Sequence, residues 1–310
     1  MTDLVLLAPG LPDSLLAPLR ASGLRLQTMD GAPSPEQAEA TTAYVVFGGS
    51  PASADLIDSL PNLKIIAVHG VGYDGVDVAH AGSRGVVVTN TPDVLTEDVA
   101  DLALALTLNT LRALPTVEHH LRSGRWAAGE RAPLTRRASG RRYGVLGLGR
   151  IGAAIARRLE PLGGTIAYHS RRPVAGAAYA YHDSARALAR AVDVLIVATP
   201  GGPATDKLVD AEVLAALGPD GVLINIARGG VVDEDALIAA LSEDRLFGAG
   251  LDVFAHEPSV PQGLLDHPRC VLTPHVGSAT VETRAAMAGL LVENLLAVLS
   301  GAPAVTPVST

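Results

Sequence analysis

Short apolar, β-branched runs alternate with Ala/Leu-rich stretches along most of the chain. Leu4–Leu7, Tyr44–Phe47, Ile65–Val68 and Val86–Thr89 are such runs in the first third. Continuous apolar segments of this length predict strands covered on both faces, the mark of a parallel sheet. Helices fit between them, for example over Pro51–Leu60 with its Ala-Asp-Leu-Ile-Asp pattern. Thr91-Pro92-Asp93 then interrupts the series. Proline disfavours helix at the residue before it, so a hinge or a helix start is expected there. One long helix is predicted from about Leu95 to Ser123, with Ala100, Leu104, Leu108 and Leu111 on one side. Gly124–Arg142 has no period and reads as an arm or surface loop. From Tyr143 a second series begins, with strands expected at Tyr143–Leu146, Thr165–Tyr168, Val194–Ala198, Val222–Ile226, Gly248–Asp252 and Val271–Thr273. A last helix, roughly Val281–Leu299, carries Met287, Leu290, Leu291, Leu295 and Val298 at helical spacing.

A chain of 310 residues exceeds the ~250–300 at which a single core stops growing, so two domains are expected. The 24 basic and 32 acidic residues give a net charge of −8, and no basic block occurs. A nucleic-acid backbone or an anionic membrane is therefore not expected as the main partner. Cys270 is the single cysteine, which excludes an intramolecular disulfide and fits a cytoplasmic protein. The N-terminus has no basic start and reads as a first strand instead of a signal peptide. No apolar run approaches the ~18–20 residues of a membrane span. His119 and His120 are adjacent, so they cannot face one metal ion from a helix, and no metal site is expected.

The sharpest local signal is Gly147-Leu148-Gly149-Arg150-Ile151-Gly152. It follows an apolar strand and opens an Ala-rich helix, with a further strand at Thr165–Tyr168. That is the βαβ unit of dinucleotide binding. Gly147 makes the tight turn, Gly149 lets backbone approach a pyrophosphate, and Gly152 lets helix pack on strand. An NAD site then usually carries Asp or Glu about ~20 residues on, to accept from the ribose 2′-OH. Here the strand runs into His169-Ser170-Arg171-Arg172-Pro173, and no acid occurs from Thr165 to Ala180. Two arginines and a hydroxyl suit a 2′-phosphate, so NADP(H) is expected over NAD(H).

Three more segments lie at the ends of later strands, where open α/β sheets bind ligands. They are Ile224–Asp233 with Arg228, Leu251–Pro258 with Asp252 and Glu257, and Leu272–Thr280 with His275. In this order after the glycine loop, and with Val68–Asp77 and Thr89–Pro92 upstream, they resemble the D-2-hydroxyacid dehydrogenase family. The resemblance covers nearly the whole chain from about residue 60. The Gly70-Val71-Gly72-Tyr73-Asp74 loop, the Thr91–Glu97 stretch and the basic loop most resemble its NADPH-dependent glyoxylate/hydroxypyruvate reductases. The resemblance implies an α/β fold of two doubly wound parallel-sheet domains, flavodoxin-like and Rossmann, with a cleft between them. Residues 1–93 with 285–310 would form the substrate domain, and 94–284 the cofactor domain. It also implies a homodimer clasped through the cofactor domain and the loop after the long helix.

By the same resemblance Arg228 is the substrate arginine, Glu257 the orienting acid and His275 the proton donor. The chemistry agrees without the name. Reducing a 2-keto acid needs a hydride to carbon, a proton to the carbonyl oxygen and a clamp for the carboxylate. Arg228 is a permanent, fork-shaped cation suited to clamp and polarise. His275 can donate a proton, and Glu257 would favour its charged form and fix its orientation. Backbone N–H groups of Val71 and Gly72 could hold the other carboxylate oxygen, and Tyr73 stands beside them. Asp252 could reach the nicotinamide carboxamide, Thr199 and Pro200 the adenosine side, and Ala227, His275 and Gly277 complete the cofactor set. Tyr73, Leu95, Met287 and Trp126 are candidates to shape the substrate side-chain pocket. Two other readings stand beside this one. A corepressor-like binding protein of the same fold also retains the three residues, but the basic cofactor loop favours an enzyme. A dehydrogenase of another 2-hydroxy acid, such as D-lactate, 3-phosphoglycerate or formate, is the second. Formate enzymes resemble a Gln–His pair instead, and a phosphorylated substrate would want extra cations near Tyr73, where the sequence shows none.

Overall fold

The computed structural model describes residues 3–47 and 49–309. It divides into two units, Met1–Leu95 with Ser278–Thr310, and Thr96–Gly277. Each is built on one parallel sheet.

The first unit runs β1 (Leu4–Leu7), α1 (Asp13–Ala21), β2 (Arg25–Thr28), α2 (Pro35–Ala40), β3 (Thr41–Phe47), α3 (Ala54–Asp58), β4 (Ile65–His69), α4 (Val78–Ser83) and β5 (Val87–Thr89). The strand order is β2-β1-β3-β4-β5, all parallel, a flavodoxin-like winding. β1 and β4 are buried throughout, as their unbroken apolar runs require. β2 was not foreseen: it is an edge strand of sequence Arg-Leu-Gln-Thr, mostly exposed, and carries no apolar run. The expected helix over Pro51–Leu60 shortens to α3, because Ser53 accepts from Leu56 N–H and caps it.

The second unit runs α5 (Thr96–Leu111), α6 (Leu114–Arg122), β6 (Arg142–Leu146), α7 (Arg150–Leu159), β7 (Thr165–His169), β8 (Ala180–Tyr181), α8 (Ala185–Ala191), β9 (Val194–Val197), α9 (Ala211–Leu217), β10 (Val222–Asn225), α10 (Glu234–Ser242), β11 (Gly248–Leu251), α11 (Gln262–Leu265) and β12 (Cys270–Leu272). The order β12-β11-β10-β9-β6-β7-β8, all parallel, is the Rossmann winding, and its strand order reverses between β6 and β9. β8 was also unforeseen, for the same reason as β2: it is an exposed edge.

The predicted single helix from Leu95 to Ser123 is two helices. Ala113 takes a left-handed φ of 45° and Pro115 enters the first turn of α6, so the hydrogen-bond ladder cannot run through. The buried face of α5 also turns from the expected one. It runs through Val99, Ala100, Ala103, Leu106, Thr107, Thr110 and Leu111, while Leu104 and Leu108 are only half-buried. Gly250 explains the rotation: a Cβ there would stand 2.8 Å from Thr110 Oγ1 and 3.2 Å from Leu106 Cβ, so the helix rests directly on β11.

The chain returns to the first unit through α12 (Val281–Leu299), which packs on α1 and β4. The division at Gly277/Ser278 lies ahead of the expected 284/285, because the first turn of α12 is already docked there: Thr283 is buried and its hydroxyl donates to Val94 O at 3.3 Å. Asn294, fully buried on α12, accepts from Val305 and Thr306 N–H and holds the Pro/Thr-rich tail. The tail pairs with the outer edge of β5 through Val308 N–H to Val88 O, covering an open edge. No helix among the described residues is long and apolar enough to cross a membrane.

Candidate active site

The glycine loop closes the reversal point of the second sheet. Gly147 has φ 102°, and a Cβ there would stand 2.8–2.9 Å from the backbone of Ala198 and Thr199, beyond the end of β9. A Cβ on Gly152 would lie 1.9 Å from Gly147 O, so the first turn of α7 folds tightly onto the loop. Gly149, by contrast, caps α7 with no side-chain hydrogen bond and has open space where a Cβ would stand. The Thr199 hydroxyl is buried and unpartnered in the same corner. Free N–H groups, an open backbone approach and an orphaned hydroxyl fit the phosphates and sugar of a dinucleotide. Leu148 is buried under the loop, while Arg150 and Pro200 are exposed and Ile151 half-buried beside it.

Arg171 and Arg172 are exposed at the end of β7, and neither pairs with a carboxylate among the described residues. The Ser170 hydroxyl donates to Arg172 O at 2.6 Å. In this conformation the serine shapes the loop, and the two guanidiniums are the groups left for a phosphate.

The three strand-end segments converge within the second unit. Asn225, 1% exposed at the end of β10, accepts from Ala227 N–H at 3.0 Å and donates to Arg228 O at 3.0 Å. This clamp fixes the backbone that presents Arg228, whose guanidinium is half-buried and donates to Ala227 O. Gly229 lets that turn lie against the next segment: a Cβ there would be 1.8 Å from the Phe254 carbonyl carbon. Phe254 N–H in turn donates to Glu257 Oε1 at 2.9 Å, and Glu257 Oε2 lies 2.6 Å from His275 Nδ1. The Glu257–Pro258 peptide is cis.

Asp252 is 2% exposed and accepts from Thr273 Oγ1, Val276 N–H and Gly277 N–H at 2.7–2.9 Å. Its own carbonyl accepts from His275 N–H at 2.9 Å. Burial raises its pKa, against the lowering effect of those bonds. In sequence it was a candidate nicotinamide contact; in the structure its carboxylate also holds the loop that carries His275. That loop is bent enough to give His275 a φ of 52°, rare for a non-glycine residue and found where geometry is imposed by surroundings.

Burial alone would push the Glu257 carboxyl up. The bonds from His275 and Phe254 N–H, with the charges of His275 and Arg228, outweigh it and hold the group below its ordinary value. A depressed carboxyl adds stability above its unfolded pKa, and that contribution is lost as pH falls through the folded one. The melting temperature of the protein is therefore expected to exceed that of Glu257→Gln at neutral pH. The gap should narrow below about pH 4.5, near the unfolded glutamate pKa; a constant gap from pH 7 to 3.5 would show that no charge interaction is involved.

Val71, Gly72 and Tyr73 lie in the first unit, in the loop after β4. Asn90 donates to Val71 O at 2.8 Å, and Tyr73 is 38% exposed. Of the pocket-shaping candidates, Leu95 and Met287 are 5% and 1% exposed core residues and Trp126 is 65% exposed. Two hollows of about 250 and 430 Å³ line the 124–142 arm of the second unit and share no residue with the convergent segments. Burial raises the Cys270 thiol to about 12, which leaves it unreactive. Sequence reading missed Asn225, Gly229 and the loop-holding role of Asp252. An Asn three residues before the arginine was the only visible signal.

A Rossmann unit with a histidine–carboxylate pair beside an arginine defines a dinucleotide-dependent dehydrogenase. The family model described as D-isomer specific 2-hydroxyacid dehydrogenase, NAD binding domain, matches residues 104–277. The chain is 50% identical over 272 residues to hydroxyphenylpyruvate reductase of Plectranthus scutellarioides, covering 88% of this chain and 87% of the relative. It is 51% identical over 265 residues to a glyoxylate/hydroxypyruvate reductase of Arabidopsis thaliana, covering 85% and 84%. The NADPH-dependent glyoxylate/hydroxypyruvate reductase of Sinorhizobium meliloti, solved with NADP and malonate, superposes with a TM-score of 0.94 at 48% identity, over 100% of this chain and 97% of that one. The chain belongs to the D-isomer specific 2-hydroxyacid dehydrogenase family.

Proposed function

We propose that the protein reduces small 2-keto acids, glyoxylate and hydroxypyruvate above all, to 2-hydroxy acids with NADPH. The observation that carries this reading is the His275 Nδ1 to Glu257 Oε2 pair at 2.6 Å. It ties one ring nitrogen to a carboxylate and leaves Nε2 for the carbonyl oxygen. NADPH, when bound, supplies the hydride. Glu257 stays ionised and holds the ring in one orientation. His275 Nε2–H gives its proton to the keto oxygen, and the Glu257-paired nitrogen keeps its own. Arg228 holds the carboxylate and polarises the keto group, its charge aimed at the oxygen on which negative charge develops. Val71, Gly72 and Tyr73 are the substrate contacts assigned to the first unit. The glycine loop, with Thr199, would hold the phosphates and sugar, and Arg171 with Arg172 the 2′-phosphate. The cytoplasm is the proposed compartment. A homodimer is the proposed assembly, supported by Leu114, Leu121, Trp126 and Leu134, all large apolar side chains left exposed on α6 and the arm.

Purified protein is expected to oxidise NADPH in the presence of glyoxylate and of hydroxypyruvate, followed by absorbance. No oxidation with any small 2-keto acid would overturn the reading and favour a binding protein of the same fold.

A further inference from the structure

The loop after β7 has none of its residues buried from Arg171 to Gly176. Its backbone is nevertheless fastened at alternate positions. The Tyr181 hydroxyl donates to Ser170 O at 3.4 Å, and the Ser170 hydroxyl donates to Arg172 O at 2.6 Å. Val174 N–H donates to the Tyr168 hydroxyl at 2.9 Å. Tyr168 is 2% exposed in β7, and Tyr181 is its register partner in β8. Their rings meet edge-on at 5.5 Å, and Tyr181 also stacks on His169 at 6.2 Å. His182 N–H, directly after β8, donates to Tyr168 O at 2.8 Å. The two-residue edge strand β8 thus sets Tyr181 across from Tyr168, and the two hydroxyls reach opposite ends of the 170–174 loop.

Arg171 and Arg172 are exposed side chains on this fastened backbone. A loose loop would lose backbone and side-chain freedom on gripping a phosphate. A loop already held loses less, which raises affinity without any new contact. We propose that Tyr168 and Tyr181 are positioning residues for cofactor choice: they hold residues 170–174 in the shape in which Arg171 and Arg172 meet the 2′-phosphate of NADP(H). The inference rests on the assignment of those two arginines to the 2′-phosphate. Both hydroxyls are engaged by the loop backbone, so neither touches the cofactor. Their effect falls on the 2′-phosphate alone, because the glycine loop that takes the pyrophosphate is built by β6, α7 and the end of β9.

The test titrates the full chain with adenosine 2′,5′-bisphosphate and with 5′-AMP, which differ by the 2′-phosphate alone, and reads both Kd values by calorimetry. It needs no turnover, so it judges the clamp whatever the keto-acid activity. Loss of one hydrogen bond in the loop should weaken the bisphosphate roughly threefold to tenfold in Tyr168→Phe, with 5′-AMP unchanged. Tyr181→Phe should shift it less, since its bond is longer. Tyr181→Ala also removes the ring contacts with Tyr168 and His169 and should match Tyr168→Phe. Should Tyr168→Phe fail to fold, Tyr181→Ala, on an exposed edge, decides. Tyr179 serves as the control: its hydroxyl donates to Glu160 Oε1 at 2.7 Å, in the same segment but outside the loop. Tyr179→Phe should leave both constants where they are. Equal weakening of the two ligands, unchanged selectivity in Tyr181→Ala, or an equal loss in Tyr179→Phe would overturn the assignment. Arg171→Ala with Arg172→Ala separates the two failures. If that variant loses the preference for the bisphosphate and the tyrosine variants keep it, the clamp alone is refuted. If it too keeps the preference, the arginine assignment fails and the clamp falls with it.

Discussion

His275→Ala is expected to lower kcat by about 10²–10⁴, the span of a lost general acid. The ring is the imidazole of the convergent segments that is paired to a depressed carboxylate, while His256, the other histidine of those segments, is exposed. Binding of the dinucleotide should hardly change, since the glycine loop is built by β6, α7 and the end of β9. Alanine removes the proton but also inherits a φ of 52°. Asparagine tolerates that region better, so His275→Asn separates loss of the acid from backbone strain: both variants should be equally slow, and the asparagine one should melt higher. Arg228→Ala should raise KM as well as lower kcat, because the carboxylate is held in the ground state and the transition state alike. Retention of most of the rate by His275→Ala from about pH 6 to 8 would mean that the proton comes from another donor.

Much of this framework is legible in the chain because parallel strands are buried on both faces. Val194–Val197 and Val222–Ile224 are continuous apolar runs for that reason, and the site positions follow them within a few residues. The glycine loop is equally readable, since only glycine fits where a Cβ would meet Gly147 O at 1.9 Å. What escaped the sequence is of two kinds. Exposed edges such as β2 and β8 have no apolar period to detect, and Ala113 gives no warning that it bends the helix. The second kind is partnership across the chain. Asp252 with the 273–277 loop and Gly229 with Phe254 are both pairs that only folding brings together.

The unmodified protein is expected to prefer NADPH to NADH by about 10²–10³ in kcat/KM. A 2′-phosphate carries close to two negative charges near neutral pH, and Arg171 and Arg172 are exposed cations with no carboxylate partner among the described residues. Hydrogen bonds to charged groups contribute roughly 1.5–3 kcal/mol each, and solvent brings an exposed pair to the low end. About 3 kcal/mol in total is still more than a hundredfold. The Ser170 hydroxyl adds little in this conformation, as it donates to Arg172 O. Replacing both arginines by alanine should therefore collapse the preference, mainly through the NADPH KM, while NADH turnover stays weak. Placing Asp at His169 should then favour NADH, by accepting from the ribose hydroxyls, but by less than the preference that was lost. His169 is already engaged: its Nδ1 lies 2.8 Å from His182 O and its ring stacks on Tyr181. An aspartate would forfeit both contacts and set a carboxylate near that carbonyl. Steady-state kinetics with both cofactors reads each step, and equal use of the two by the unmodified protein would show that the arginines serve only the surface.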